Sequence, residues 1–222
     1  MELDQNFQEF VETFGPPQRG IPASIEMLDA MQGRVPQSLH DFWAVHGLGL
    51  WNDGYFQMCD PVRYRPISKA VFGKDAELTA PTTHLIGFSA FGRLMFWNQT
   101  HRIVDVNILS LRVYCAHFFK PRPHIPDVIT LDSAMFSIED EVHDGIDEDG
   151  NLMFKRARKA FGPLKYDQIY APKLHPALGG ALRLDNFRPA SALEALALAA
   201  QAGPFELIDN SSLPPKLVRH LG

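Results

Sequence analysis

The sequence predicts an α+β fold in which N-terminal helices lead into a mainly antiparallel sheet, with a largely helical C-terminal half packed on that sheet. Apolar residues recur at helical spacing up to residue 47, and aromatic and β-branched residues then dominate residues 48–114. Helical periodicity returns after residue 126. Helices and strands do not alternate along the chain, as a doubly wound parallel sheet would require.

Three helices are predicted before residue 48. The first ends at Gly15-Pro16, and its apolar face is formed by Leu3, Phe7, Phe10, Val11 and Phe14. The second begins at Pro22 and ends at Gly33. The third begins at Pro36 and ends at Gly47, and its apolar stripe consists of Leu39, Phe42, Trp43 and His46. Trp43 is therefore predicted to be a core residue.

The middle of the chain predicts antiparallel strands. Asn52-Asp53-Gly54 is a hairpin turn between aromatic-rich arms. Residues 85–97 and 103–114 are rich in apolar and aromatic side chains, with a turn predicted at residues 98–101. Trp97 ends the first of these segments and is expected in the core.

Prolines at 121, 123 and 126 place a boundary near residue 120, so that the predicted domains are residues 1–120 and 121–222. The second domain is expected to contain helices at 131–141 and 152–161, joined by an acidic turn at 144–150. A short strand at 182–184, a helix from Pro189 to residue 201 and a strand at 205–208 complete the prediction.

Composition excludes several classes of protein. The 222-residue chain shows no basic and apolar leader and no apolar run long enough to span a bilayer, so we expect a cytoplasmic protein without membrane contact. Cys59 and Cys115 have no C-x-x-C partner, which predicts free, reduced and dispensable thiols.

The distribution of charge is uneven. Residues 125–154 contain nine acidic residues and no Lys or Arg, whereas the rest of the chain has 17 acidic and 21 basic residues. This segment opposes direct binding of nucleic acid and favours a basic partner. A solvated linker without a partner is the alternative explanation.

The motifs that suggest chemistry have structural explanations. Gly47-Leu48-Gly49 follows a helix, whereas phosphate loops precede one, so it predicts a helix end and a turn. A calcium loop with Gly150 at its sixth position would place Gly145 at the first position and Arg156 at the twelfth. Both positions must supply oxygen ligands, so an EF-hand calcium loop is rejected.

No catalytic or cofactor-binding constellation is predicted. His117 and His124 lack a third ligand at a metal-binding spacing, and Cys59 lies in an aromatic hairpin without an evident base. We therefore expect no enzyme activity, no cofactor and no metal.

Three stretches resemble one known family. VPQSLHDFWAVHGLGLWNDGYFQMCDPVRY and HLIGFSAFGRLMFWN resemble the GAD-like domain, in its proline-led helix, D-G turn and FG-x-L-x-x-W pattern. NLMFKRARKAFGPLKYDQIYAPKLHPALGGALRLDNF resembles the C-terminal domain that follows it in bacterial type VI secretion immunity proteins. The first domain is also distantly similar to the SUKH immunity superfamily.

This resemblance implies a cytoplasmic immunity protein that neutralises a cognate DNase-type toxin by occluding its active site or DNA-binding surface. A regulatory or adaptor module of SUKH-like type without a toxin remains the alternative. Because a nuclease cleft is basic, the expected toxin contacts are Glu139, Asp140, Glu141, Asp144, Asp147, Glu148 and Asp149. Neutralising the last four is expected to slow association with the toxin and to leave the fold unchanged.

Overall fold

A computed structural model describes residues 3–73 and 75–221 of the chain. Its helices are α1 Gln5–Phe14, α2 Ile25–Met31, α3 Gln37–His46, α4 Arg65–Phe72, α5 Ala116–Phe119, α6 Asp127–Phe136, α7 Phe154–Phe161 and α8 Ala192–Ala199. Its strands are β1 Gln18–Ile21, β2 Leu48–Trp51, β3 Phe56–Met58, β4 Thr83–Ser89, β5 Arg93–Asn98, β6 Arg102–Asn107, β7 Arg112–Tyr114, β8 Gln168–Pro172, β9 Phe187–Ser191, β10 Phe205–Asp209 and β11 Lys216–Leu221.

A nine-stranded sheet organises the molecule, in the order β1-β2-β3-β4-β5-β6-β7-β10-β11. All neighbouring strands pair antiparallel except β7 and β10, which are parallel. Strands β8 and β9 form a separate antiparallel pair. The predicted α+β class with a mainly antiparallel sheet is therefore confirmed.

Both faces of the sheet are buried, and β5 shows how. Leu94 and Phe96 pack into the core that also holds residues of α4 and α8. Met95 and Trp97 point to the opposite face and pack with residues of α1, α2, α3 and α6. The alternation follows from the two-residue period of a strand. Trp43 and Trp97 are 0% and 2% exposed, which confirms both as core residues.

The Gly-x-Gly motif ends a helix, as predicted. Helix α3 stops at His46, and Gly47 adopts a φ of 70° with its N–H donating to the Trp43 carbonyl. A Cβ atom at position 47 would lie 2.2 Å from the Ile21 carbonyl oxygen, so only glycine fits where the chain crosses β1. The motif serves chain reversal, not phosphate binding.

The prediction of a largely helical C-terminal half is not confirmed. After residue 121 the chain forms four strands besides α6, α7 and α8, and β10 and β11 extend the main sheet beyond β7. Pro189, predicted to begin a helix, pairs with Tyr170 inside β9. Proline is tolerated there because β9 has only one neighbouring strand, so its other edge needs no N–H donor.

Other differences concern element boundaries. Helix α6 starts at Asp127 and ends at Phe136, several residues before the predicted end at residue 141. The short strand predicted at 182–184 is absent, and a 3₁₀ turn follows at Leu184–Asn186. The proposed division at residue 120 separates two sequence units that share one sheet. Within the described residues, no helix combines the length and apolar character needed to cross a membrane.

Candidate functional site

The seven predicted contact residues lie between α6 and α7, on residues 139–149, which we call the acidic segment. The segment contains a 3₁₀ turn, Glu141–His143, and then a tight turn that reverses the chain before α7. Asp147 is buried and Asp144 is half-buried. The other five side chains are exposed to solvent: Glu139, Asp140, Glu141, Glu148 and Asp149.

Asp147 is committed to the fold. Its side chain is 4% exposed and forms an ion pair with Arg156 of α7. Its Oδ1 atom accepts hydrogen bonds from the backbone N–H groups of Asn151, at 2.8 Å, and Asp149, at 3.1 Å. The Arg156 hydrogen bond, together with these N–H groups, lowers the pKa of Asp147 below its usual value. The carboxylate therefore closes the turn and is not free for a partner.

Asp144 has a second structural role. Its Oδ1 atom accepts the backbone N–H groups of Phe154, at 2.9 Å, and Met153, at 3.3 Å, which are the first donors of α7. Such groups at a helix start have no partner within the helix. Burial raises the pKa of Asp144, although these hydrogen bonds act in the opposite direction. Neutralising Asp144 or Asp147 is thus expected to destabilise the protein, contrary to the expectation from sequence.

The acidic segment forms one wall of a groove of about 580 Å³. The opposite wall is the hairpin turn after β2, with Asn52, Asp53 and Tyr55. The Tyr55 hydroxyl donates to the Asp140 carbonyl at 2.9 Å. Burial raises the pKa of this tyrosine, and the nearby carboxylates, led by Asp144, raise it further. Four carboxylates line the groove, those of Asp53, Glu139, Glu141 and Asp144, against two cations, Lys155 and Arg158, so its lining is net negative.

Sequence reasoning missed the hairpin turn as part of this surface. Asp53 pairs with Arg158 of α7 at 2.7 Å across 105 positions of the chain. The local sequence around Asp53 and Arg158 does not predict this contact, because neighbouring exposed residues of the same charge give the same pattern. The only available signal was the resemblance of both stretches to one two-domain family.

Apolar side chains are interleaved with the exposed carboxylates. Val142 is 48% exposed, Ile146 is 50% exposed and Leu152, just beyond the segment, is 38% exposed. Ile146 and Leu152 face each other across an isolated β-bridge. Exposed apolar side chains thus alternate with exposed carboxylates along this part of the chain, a combination of residue types that protein interfaces also contain.

The cysteines are unsuited to nucleophilic chemistry. Cys59 and Cys115 are free, as the sequence predicts, and both are buried. Burial raises the pKa of Cys59 well above its usual value and raises the pKa of Cys115 to about 11. The Cys59 Sγ atom lies 3.5 Å from the Leu85 carbonyl oxygen, its hydrogen-bond acceptor. Both thiols therefore stay protonated at neutral pH, in the form that is a poor nucleophile.

The turn that suggests a calcium loop contains its own cation. Arg156, at the position where a calcium loop needs a carboxylate, supplies the positive charge that neutralises Asp147. Among residues 3–73 and 75–221, no group of three or more His, Cys, Asp or Glu side chains is arranged to hold a metal ion.

Two family patterns match the chain. The GAD-like domain matches residues 5–110, and the C-terminal domain of the T6SS immunity protein Tdi1 matches residues 134–202. Among solved structures, the crystal structure of Atu4351 from Agrobacterium tumefaciens is 40% identical in sequence, with a TM-score of 0.93 over 98% of this chain and 97% of that one. A search of curated proteins found no significant match.

Proposed function

The chain belongs to the family of type VI secretion immunity proteins that join a GAD-like domain to a Tdi1-type C-terminal domain, and from this premise we propose that it binds and neutralises a cognate DNase-type toxin in the cytoplasm. The single observation that carries the function is that both halves match, in order, the domains of one immunity family. This membership supports a role in binding and not in catalysis.

The sign of the surface charge supports a nuclease as the partner. A DNase must hold a polyanion, so its active-site cleft is basic. The exposed carboxylates of the acidic segment match such a cleft in charge and would speed the encounter between the two proteins. Occlusion of the cleft, either at the active site or along the DNA-binding surface, is the proposed mechanism.

We place the toxin contact on the five exposed carboxylates of the acidic segment and the apolar side chains between them. Val142, Ile146 and Leu152 are exposed in the same stretch of the chain and would be available for burial against a partner. An interface of this kind gains affinity from its apolar centre and gains association rate and specificity from its charged rim.

The segment is held in place before any partner arrives. His143 is 4% exposed, and its ring lies 6.4 Å from that of Phe56. Arg93 Nη1 donates to the Val142 carbonyl at 3.1 Å, and Tyr55 holds the Asp140 carbonyl. Because the backbone is already ordered, binding costs less conformational entropy than it would for a flexible linker.

The function is tested with the protein encoded by the gene immediately upstream. We expect its expression alone to be toxic and co-expression of this chain to restore growth. With both proteins purified, DNA cleavage should stop at a stoichiometric ratio. A neighbouring protein without nuclease activity or without affinity for this chain would favour the regulatory or adaptor alternative.

The docking surface is tested with an outward variant, in which five residues become Asn or Gln: Glu139, Asp140, Glu141, Glu148 and Asp149. The matched control neutralises five exposed carboxylates elsewhere: Glu9, Glu12, Glu26, Asp29 and Glu194. At low ionic strength the outward variant should associate with the toxin about tenfold more slowly, whereas the control should change little.

High salt should remove most of this difference, because ions screen exposed charges. Equal association rates for the wild type and the outward variant at low salt would contradict this location. The same slowing in both variants would assign the effect to net charge and not to the acidic segment.

A further inference from the structure

A second cleft, of about 410 Å³, lies away from the acidic segment, between α5, α6 and the turn that joins β10 to β11. Its volume is in the range typical of small-molecule sites. We call it the cationic cleft, because three of its lining residues are Arg102, Lys120 and Arg122.

The two cations at the rim of the cleft are exposed. Among the described residues, neither Lys120 nor Arg122 forms an ion pair with a carboxylate, and Lys120 Nζ donates a hydrogen bond to the Ser211 carbonyl at 3.4 Å. Asp127 is already paired with Arg102 at 2.8 Å, and Asp209 interacts with the charge of Lys120 without forming an ion pair with it. An anion at the rim would therefore meet two cations without breaking an existing ion pair.

Arg102 gives the cleft a fixed polar floor. It is 8% exposed, and its Nη1 atom donates to the Thr130 hydroxyl at 3.2 Å and to the Arg122 carbonyl at 3.3 Å. Within the described part of the chain, its Nη2 atom has no hydrogen-bond acceptor. A guanidinium held in this way is an anion-binding group whose ordering precedes ligand binding.

The rest of the lining is largely apolar. Phe119, Ile125 and Ile129 line the cleft, and Ile129 of α6 is 46% exposed. His117 adds little charge at neutral pH, because burial and then the nearby Arg102 lower its pKa. The cleft thus contains both cations and apolar side chains, a combination that matches a molecule with an anionic head and an apolar body.

We propose that the cationic cleft is a binding site for a small amphiphilic anion, a carboxylate or phosphate group on a short apolar chain. The head lies between Lys120 and Arg122 within reach of Arg102, and the body lies against Ile125 and Ile129. This site is independent of the toxin contact, because it shares no residue with the acidic groove.

The experiment titrates the intact protein with four probes: hexanoate, hexyl phosphate, hexanol and inorganic phosphate. Affinity is measured by isothermal titration calorimetry, and the location is mapped from backbone amide chemical shifts. Hexanoate and hexyl phosphate should bind, and should shift amides such as those of Ala116 and Ser211. Replacing hexanoate by butanoate should lower the affinity about fourfold for each methylene lost.

A rim variant, Lys120→Ala with Arg122→Ala, should weaken hexanoate binding about tenfold at low salt, as the loss of two exposed charge contacts predicts. The matched control, Lys159→Ala with Arg188→Ala, removes two exposed cations elsewhere and should bind like the wild type. Arg102 is left unchanged because its contacts stabilise the fold.

Three results would overturn the proposal: hexanol binding as tightly as hexanoate, amide shifts that fall outside the cleft, or a rim variant with unchanged affinity. Binding of inorganic phosphate as strong as that of hexyl phosphate would also contradict it, because the apolar wall would then contribute nothing. Hexanoate and hexyl phosphate together distinguish a carboxylate site from a phosphate site.

Discussion

The Gln57 side chain links the two sequence units through two hydrogen bonds, so its replacement should reveal how strongly they depend on each other. Gln57 lies in β3 and is fully buried. Its Nε2 atom donates to the Gln168 carbonyl at 2.8 Å, and its Oε1 atom accepts the Asp167 N–H at 2.8 Å. One side chain of the first unit therefore satisfies two backbone groups at the start of β8.

Gln57→Leu keeps the size of the side chain and removes both hydrogen bonds. A buried backbone group that loses its partner costs about 1–3 kcal/mol, so the loss of both should lower the free energy of unfolding by roughly 2–6 kcal/mol. For a chain of this length, each kcal/mol lowers Tm by about 2–4 °C, which gives an expected decrease of about 4–24 °C.

The assay is urea denaturation followed by tryptophan fluorescence, with Gln57→Glu as the matched variant. At pH 7 the introduced carboxylate still accepts the Asp167 N–H, but its second oxygen faces the Gln168 carbonyl, and a buried charge is added. Acidification should restore part of the lost stability of this variant relative to the wild type, since a protonated carboxyl can donate. A Gln57→Leu protein with the wild-type urea midpoint and slope would refute the reasoning.

Three further predictions concern single sites. Trp43→Ala should lower the free energy of unfolding by about 3–5 kcal/mol, because the indole is fully buried; unchanged stability with lost toxin binding would instead place this residue in the interface. Replacing Cys59 and Cys115 with Ala should cost about 1 kcal/mol each and leave toxin neutralisation intact; a folded but inactive double variant would indicate a role for the thiols. Burial and two nearby carboxylates raise the pKa of Asp132 to about 6, and its buried Oδ2 atom has no hydrogen-bond partner among the residues that the structure describes. Because the unfolded carboxyl ionises near pH 3.9, this group costs stability as pH rises from about 4 to 6, so Asp132→Asn should raise Tm at pH 8 and not at pH 3. Equal shifts in Tm at both pH values would contradict that origin.

Features of the fold that depend on neighbouring residues were predictable from sequence. The three N-terminal helices follow from apolar spacing, and the end of α3 follows from a glycine that alone tolerates the required φ. In β6 the buried Val104 and Val106 alternate with the half-buried Asp105, as the sequence pattern indicates. Such signals need no knowledge of distant contacts.

Features that depend on distant partners were not predictable in this way. Strand β8 contains a proline, Pro172, so its sequence by itself favours a loop. The strand is recognised only from its pairing with β9. The position of β10 beside β7 is also non-local, because Leu207 pairs with Val113 in a parallel register. Two parallel strands must be joined by a long connection, so they lie far apart in the sequence. Which strand pairs with β7 is decided by packing over the whole core.

The acidic segment shows how the same limit affects a functional site. A count of charges treats every carboxylate alike, whereas Asp147 is neutralised by an arginine nine positions later and Asp144 accepts an N–H group ten positions later. The partners of Asp147 and Asp144 are an arginine and a backbone N–H group, and both kinds of donor occur in many other places along the chain. Sequence alone therefore does not distinguish these two buried or half-buried carboxylates from the exposed ones. A variant that neutralises all seven would lose toxin binding through unfolding as readily as through lost contacts. Only the outward variant, which leaves both structural carboxylates in place, can attribute a slower association to the surface itself.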